Sequence, residues 1–202
     1  MPRLSGSASR AVTKSAKLAT LLSLGAIAAT PFVTPTDAAA APSAANARGG
    51  YLVAVLGCAD CHAPLKMGPR GPERDMSRGL SGHPEQMSLP PAPPAQGPWV
   101  MGGTATNTAF YGPWGVTYAA NLTPDRETGI GGWKVEDFIR AIKDGRHAGV
   151  GRPIMPPMPI EAYRNLTEAD LRLVFAYLVA QPAVKNRVPD YQPPTAPSAA
   201  RR

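Results

Sequence analysis

The chain has 202 residues and a formal net charge of +7, a length that suits one modest domain with appendages. Hydrophobic residues make up 44 % of it, enough for one core and too few for a protein of several membrane spans. The 24 prolines and 20 glycines commit much of the backbone to turns, extended segments and loops.

The charge is not spread evenly. Residues 41–202 hold 17 Lys/Arg against 13 Asp/Glu, a balance of +4. There is no run of basic residues with interleaved aromatics, so nothing points to nucleic-acid binding. A mild positive balance can help to steer an acidic partner and says nothing more specific.

Residues 1–40 read as a secretory signal. Arg3, Arg10, Lys14 and Lys17 form a basic start, residues 18–29 are apolar, and residues 37–42 offer small-x-small cleavage sites. Export to the periplasm follows. The alternative is an uncleaved segment that anchors the chain to the inner membrane. A domain is expected over 41–190, with a disordered tail at 191–202.

Within that domain, residues 41–46 are a small-residue lead and 47–57 a short helix. Tyr51, Val55 and the Leu52/Leu56 pair give the helix apolar faces, and Gly57 loosens its end. Residues 63–98 hold nine prolines and five glycines with no helical period. They are expected as a long Pro-rich loop, extended at Pro90-Pro-Ala-Pro-Pro94. Residues 99–132 are rich in Gly and aromatics (Trp99, Phe110, Tyr111, Trp114, Tyr118), with short irregular strands or turns. An amphipathic helix is expected over 133–144, where Val135, Phe138, Ile139 and Ile142 share a face and Gly145 stops the element. The last helix is expected over 168–180, opened by Thr167-Glu-Ala-Asp170 and carrying Leu171, Val174, Phe175 and Leu178 on one stripe. The fold class that follows is mainly α, with one long loop insertion.

The two cysteines, the only ones in the chain, fall in Cys58-Ala59-Asp60-Cys61-His62. Separated by two residues, they cannot staple distant parts of the chain. Cys-x-x-Cys-His reads as c-type haem attachment. Two cysteines one helical turn apart face the same side, each able to form a thioether with one vinyl group of the porphyrin, and the adjacent His62 projects an imidazole toward the iron. A thioredoxin-like pair would need a preceding strand in a βαβ frame, which the sequence lacks. Half a zinc site would need a second ligand pair, and the other histidines, His83 and His147, stand singly. One haem is expected, because the motif occurs once.

A second axial ligand is sought in a turn-rich segment between the motif and the last helix. Arg152-Pro-Ile-Met-Pro-Pro-Met-Pro159 is such a segment, and its prolines would hold a thioether in place without secondary structure. Met155 and Met158 are both candidates on this ground, with His147 as the competitor. Met67, Met76, Met87 and Met101 are expected as packing. Trp114, Tyr118 and Trp133 are expected near the ring, and Arg152 is a candidate partner for a propionate.

The order of Cys58–His62, Tyr118-Ala-Ala-Asn-Leu-Thr-Pro-Asp125, Thr128-Gly-Ile-Gly-Gly-Trp133, Pro157-Met-Pro159 and Leu166-Thr-Glu-Ala-Asp-Leu171 resembles the cytochrome subunits of bacterial membrane-bound alcohol, aldehyde and gluconate dehydrogenases. More closely, it resembles their single-haem relatives. The resemblance implies a class I cytochrome c fold, a covalent haem c, and His62 and a methionine as axial ligands. The family's Pro-x-Met-Pro pattern, with an aromatic five residues on, falls on Met158 and Tyr163 and selects Met158 over Met155. The implied function is electron transfer between redox partner proteins, a dehydrogenase donor and an oxidase or cytochrome acceptor, with no enzymatic turnover. Two alternatives stand beside it: the cytochrome subunit of a membrane-associated dehydrogenase complex, and a five-coordinate haem sensor of small gases.

Overall fold

A computed structural model describes residues 43–93, 98 and 100–194. The expected signal over 1–40, Pro94, Trp99 and residues 195–202 of the expected tail lie outside the described residues.

Ser43 opens α1 (Ala44–Val55), its hydroxyl accepting the Asn46 N–H at 3.2 Å, which satisfies one of the orphan donors of the first turn. The helix therefore begins inside the stretch expected as a lead. Its buried face is Gly49, Leu52 and Val53. Tyr51 and Val55, two of the residues expected to give the helix its apolar faces, are 55 % and 58 % exposed. Gly49 explains the difference. A Cβ there would lie 2.8 Å from the Cβ of Tyr177 and closer still to the Leu173 carbonyl oxygen, so α1 meets its neighbour across a glycine and turns Tyr51 outward.

That neighbour is the last helix, α5 (Glu168–Val179), which follows α2 (Cys58–His62), α3 (Val135–Asp144) and α4 (Ile160–Tyr163) in the chain. Thr167 caps α5, its Oγ1 accepting the Asp170 N–H at 3.1 Å. Leu171, Val174 and Leu178 form its buried stripe. In α3 the Asp137 carboxylate reaches back to the Lys134 N–H at 2.9 Å, and Gly145 ends the helix at φ +67°. Phe138, Ile139 and Ile142 of α3 join Leu52 and Val53 of α1 and the α5 stripe in one hydrophobic core.

Between α2 and α3 lie five short strands: β1 (Leu65–Gly68), β2 (Gly71–Arg74), β3 (Gly102–Gly103), β4 (Ala109–Gly112) and β5 (Gly115–Tyr118). β1 and β2 form an antiparallel hairpin, and β3-β4-β5 a separate three-stranded antiparallel sheet. Both tight hairpins use one sequence, Gly-Pro-x-Gly, at 68–71 and 112–115. Proline presets the first turn residue, and the closing glycines take φ of +115° and +99°. The first hairpin falls inside 63–98, which was expected as loop throughout.

Three of the four methionines expected as packing are exposed: Met67 77 %, Met76 72 % and Met101 44 %. Met67 sits on an outward-facing position of a hairpin that covers the core with neither face. The expected tail is tied down where it starts. Gln192 exchanges two backbone hydrogen bonds with Val116, at 2.8 and 2.9 Å, so β5 gains a pairing partner two residues past the expected boundary at 190. Among the described residues no helix is long and apolar enough to cross a membrane.

Candidate functional site

Gly57 takes φ +67° between α1 and α2, a left-handed turn that glycine adopts without steric cost and that re-aims the chain. One turn of helix follows, with Cys58 and Cys61 at its i and i+3 positions and His62 at its end. The outer side of that turn is braced. The Arg74 guanidinium pairs with the Asp60 carboxylate and donates to the Ala59 carbonyl at 3.2 Å, and the Asn107 amide donates to the Asp60 carbonyl at 2.7 Å. The hairpin thus adds a second donor to the Ala59 carbonyl, which also accepts the Ala63 N–H at 3.3 Å, and the 104–109 turn supplies a donor to the Asp60 carbonyl near the end of the short helix.

His62 is 8 % exposed. Its Nδ1 lies 2.7 Å from the Ala120 carbonyl oxygen. A carbonyl only accepts, so the ring must donate Nδ1–H there, and the neutral ring keeps its lone pair on Nε2. Burial lowers the His62 pKa below the ordinary histidine value, and the Ala120 hydrogen bond opposes this only in part. The imidazole is therefore neutral at pH 7 and free to act as a ligand.

The cysteines form no disulfide. Burial pushes Cys58 up to about 11, helped by the nearby Asp60 carboxylate. Cys61 is raised by burial and then by the same carboxylate. Redox-active and thiolate-ligand cysteines sit in surroundings that lower the pKa; these sit in the opposite kind. Among the described residues there is no group of three or more His, Cys, Asp or Glu side chains placed to hold a metal ion.

Cys58, Cys61, His62, Met155 and Met158 all line one cavity of about 490 Å³, within the roughly 300–1,000 Å³ of cofactor and ligand sites. Its walls are largely apolar: Ile130 and Trp133, then Phe138 and Ile142 of α3, and Leu171, Val174 and Leu178 of α5. The two methionines differ. Met158 packs against the hydrophobic core, and Met155 is not part of that packing. Tyr163 ties the methionine segment to the motif, its hydroxyl donating to the Leu56 carbonyl two residues before Cys58. The Met158 carbonyl in turn accepts the Ile160 N–H at 2.9 Å, fixing the segment to the start of α4.

Of the residues expected near a ring, Tyr118 and Trp133 line the cavity and Trp114 does not. Trp114 instead covers Gly112 in the β4–β5 hairpin. His147 lines the cavity from an exposed position, edge-on to Trp133 with ring centroids 5.1 Å apart. Arg152 and Arg187 both line it, alongside Glu127 and Asp190. Arg187 and Ala120 carry no sequence signal: one is a basic residue in an irregular stretch outside any motif, and the other contributes only its backbone.

These side chains make a largely apolar slot with two imidazoles, one of them buried, two thioethers, one of them held against the core, two cysteines, two guanidinium groups and two carboxylates. That donor set suits a large flat apolar cofactor with anionic edge groups.

No family model matches the chain. It is 40 % identical over 91 residues to a subunit of the nicotinate dehydrogenase of Pseudomonas putida, covering 45 % of this chain and 7 % of that protein. It is 28 % identical over 148 residues to the fructose dehydrogenase cytochrome subunit of Gluconobacter japonicus, covering 70 % of this chain and 24 % of the relative. It is 36 % identical over 81 residues to the alcohol dehydrogenase (quinone) cytochrome c subunit of Gluconobacter oxydans, 39 % of this chain and 17 % of the relative. The chain thus matches a quarter or less of the length of these relatives.

Proposed function

The chain is related to the cytochrome subunits of bacterial dehydrogenases, and from that relation we propose that it is an electron-transfer protein carrying one covalent haem c. The carrying observation is that Cys58, Cys61, His62 and Met158 line one largely apolar cavity, with the imidazole neutral and its Nδ1 already engaged. Cys58 and Cys61 would attach the group, and His62 and Met158 would ligate its iron. A haem c so held supplies a one-electron ferrous/ferric couple.

The protein's own part is to bind, orient and exclude water. The Ala120 carbonyl fixes the His62 tautomer and ring plane, which also makes the imidazole a stronger donor. The Tyr163 hydroxyl holds the Met158 segment against the residues that precede Cys58. Arg152 and Arg187 are placed to take carboxylate groups at the cavity. If His62 and Met158 both held the iron, the chain would offer no open position for a substrate, which supports a carrier role. The basic-apolar-small order of residues 1–40 supports export to the periplasm. A mature N-terminus near residue 40 in periplasmic protein would agree, whereas an intact one in the membrane fraction would favour the anchored form.

The relatives favour a second reading, in which the chain serves as the cytochrome component of a dehydrogenase complex. Co-purification with a flavin or quinoprotein subunit would support it. The two readings share one site and differ in the donor.

The ligand assignment is tested by the oxidised absorption spectrum. The parent protein and Met155→Ala should both show the weak long-wavelength sulfur-to-iron band, and Met158→Ala should lose it while keeping its haem. Loss of the band in Met155→Ala alone would contradict the assignment. Rapid carbon monoxide binding by the reduced parent protein would favour the five-coordinate sensor instead.

A further inference from the structure

Asn186 has no exposed surface, and its side-chain amide is fully engaged. Nδ2 donates to the carbonyls of Ser81 at 2.7 Å and His83 at 2.8 Å. Oδ1 accepts the Glu85 N–H at 3.0 Å and an Arg78 Nη2 donor at 2.8 Å. Only one orientation of the amide satisfies two carbonyls and two donors together. The Asn186 backbone is held as well, its N–H donating to Thr128 Oγ1 at 3.0 Å. One buried side chain thus grips the 81–85 segment at three alternate residues.

The other edge of that segment bonds to the backbone around His62. Gly82 N–H donates to the His62 carbonyl at 2.8 Å, and His83 N–H to the Ala119 carbonyl at 3.0 Å. Leu122 N–H donates to the Leu80 carbonyl at 2.9 Å. Gly82, at φ +78°, lies so close to residues 119–120 that a Cβ would sit 2.6 Å from the Ala120 carbonyl carbon and oxygen. Segment 80–83 is therefore pressed between Asn186 on one edge and residues 119–122 on the other. Ala120 is the residue whose carbonyl receives the His62 Nδ1–H.

We propose that Asn186 is a positioning residue for His62: by clamping segment 81–85 it fixes the Ala119–Ala120 backbone and so sets the strength of the His62 Nδ1–H to Ala120 hydrogen bond. This rests on the reading of His62 as an axial ligand. A well-placed carbonyl acceptor makes the ligand imidazole more electron-donating and favours the oxidised metal. Loosening the clamp weakens that bond and raises the reduction potential.

The test compares purified holoprotein carrying Asn186→Ala with the parent and with Val53→Ala, a core variant whose residue does not line the cavity. Reduction potential, thermal midpoint and exchange of the His62 Nδ1 proton, followed by nitrogen-15 NMR of the reduced protein, are measured for each. Asn186→Ala should show a more positive potential and faster Nδ1–H exchange than Val53→Ala at a similar loss of midpoint. If Asn186→Ala does not fold, Asn186→Ser, whose short hydroxyl cannot span both carbonyls, should shift the same two quantities in the same direction. Unchanged potential and unchanged exchange overturn the clamp. A parent protein without covalent haem defeats the ligand reading separately, and the exchange measurement on that folded chain still decides the clamp.

Discussion

Ala120 takes part in the site through its carbonyl oxygen alone, and Leu56 does the same for Tyr163. Backbone acceptors have no residue signature, which is why the cysteines and His62 were legible in the sequence while the groups that orient His62 were not. Met158 was separable from Met155 only through the family pattern. The structure adds a physical distinction, since Met158 alone packs into the core. Tyr163→Phe removes the donor to Leu56 and leaves that carbonyl unpaired, at a cost of about 1–3 kcal/mol. The thermal midpoint should fall, and the sulfur-to-iron band should be lost at a lower temperature than in the parent. A variant that melts and bleaches like the parent would deny Tyr163 its role in holding the methionine segment.

Helices α3 and α5 were readable because each carries a regular stripe and a glycine or proline stop, and α5 also a capping threonine. α1 was readable as a helix but not as a packing face, because its contact with α5 is centred on a glycine that hydrophobic periodicity ignores. Gly49→Leu drives a side chain into Tyr177 and the Leu173 carbonyl, and overpacking of this kind costs about 1–3 kcal/mol or more. Thr167→Ala, which removes the α5 cap, should cost about 1 kcal/mol. Chemical denaturation of the two variants should rank Gly49→Leu as the more damaging. The reverse order would mean that α1 and α5 are not closely apposed. The hairpins were missed for a different reason. Strands of four residues with one half-buried face give too little alternation to read, and the usable signal was the repeated Gly-Pro-x-Gly turn.

At the scale of the molecule, two histidines, the buried His83 and the exposed His147, make stability depend on pH. Burial is the first cause that lowers His83 below its usual 6.5, and likewise His147, where Arg152 adds to the effect. Because these folded-state values lie below the unfolded ones, the unfolded chain binds more protons as the pH falls. The stabilisation is fully present above about pH 6.5 and is lost as the pH drops through the folded-state values. Thermal midpoints should therefore decline between about pH 7 and pH 5, a window above the carboxylate range. His83→Gln should reduce that slope. A flat profile would mean that His83 is not buried neutral beside Thr108, where its Nδ1 lies 2.9 Å from the hydroxyl.

Whether the cavity holds one haem joined to Cys58 and Cys61 is tested most directly by intact-mass measurement of the purified, denatured protein. The predicted result is the polypeptide mass plus one haem, surviving denaturation, with the adduct lost when both cysteines are replaced by alanine. A parent protein at the bare polypeptide mass, or one whose haem departs on denaturation, would contradict it.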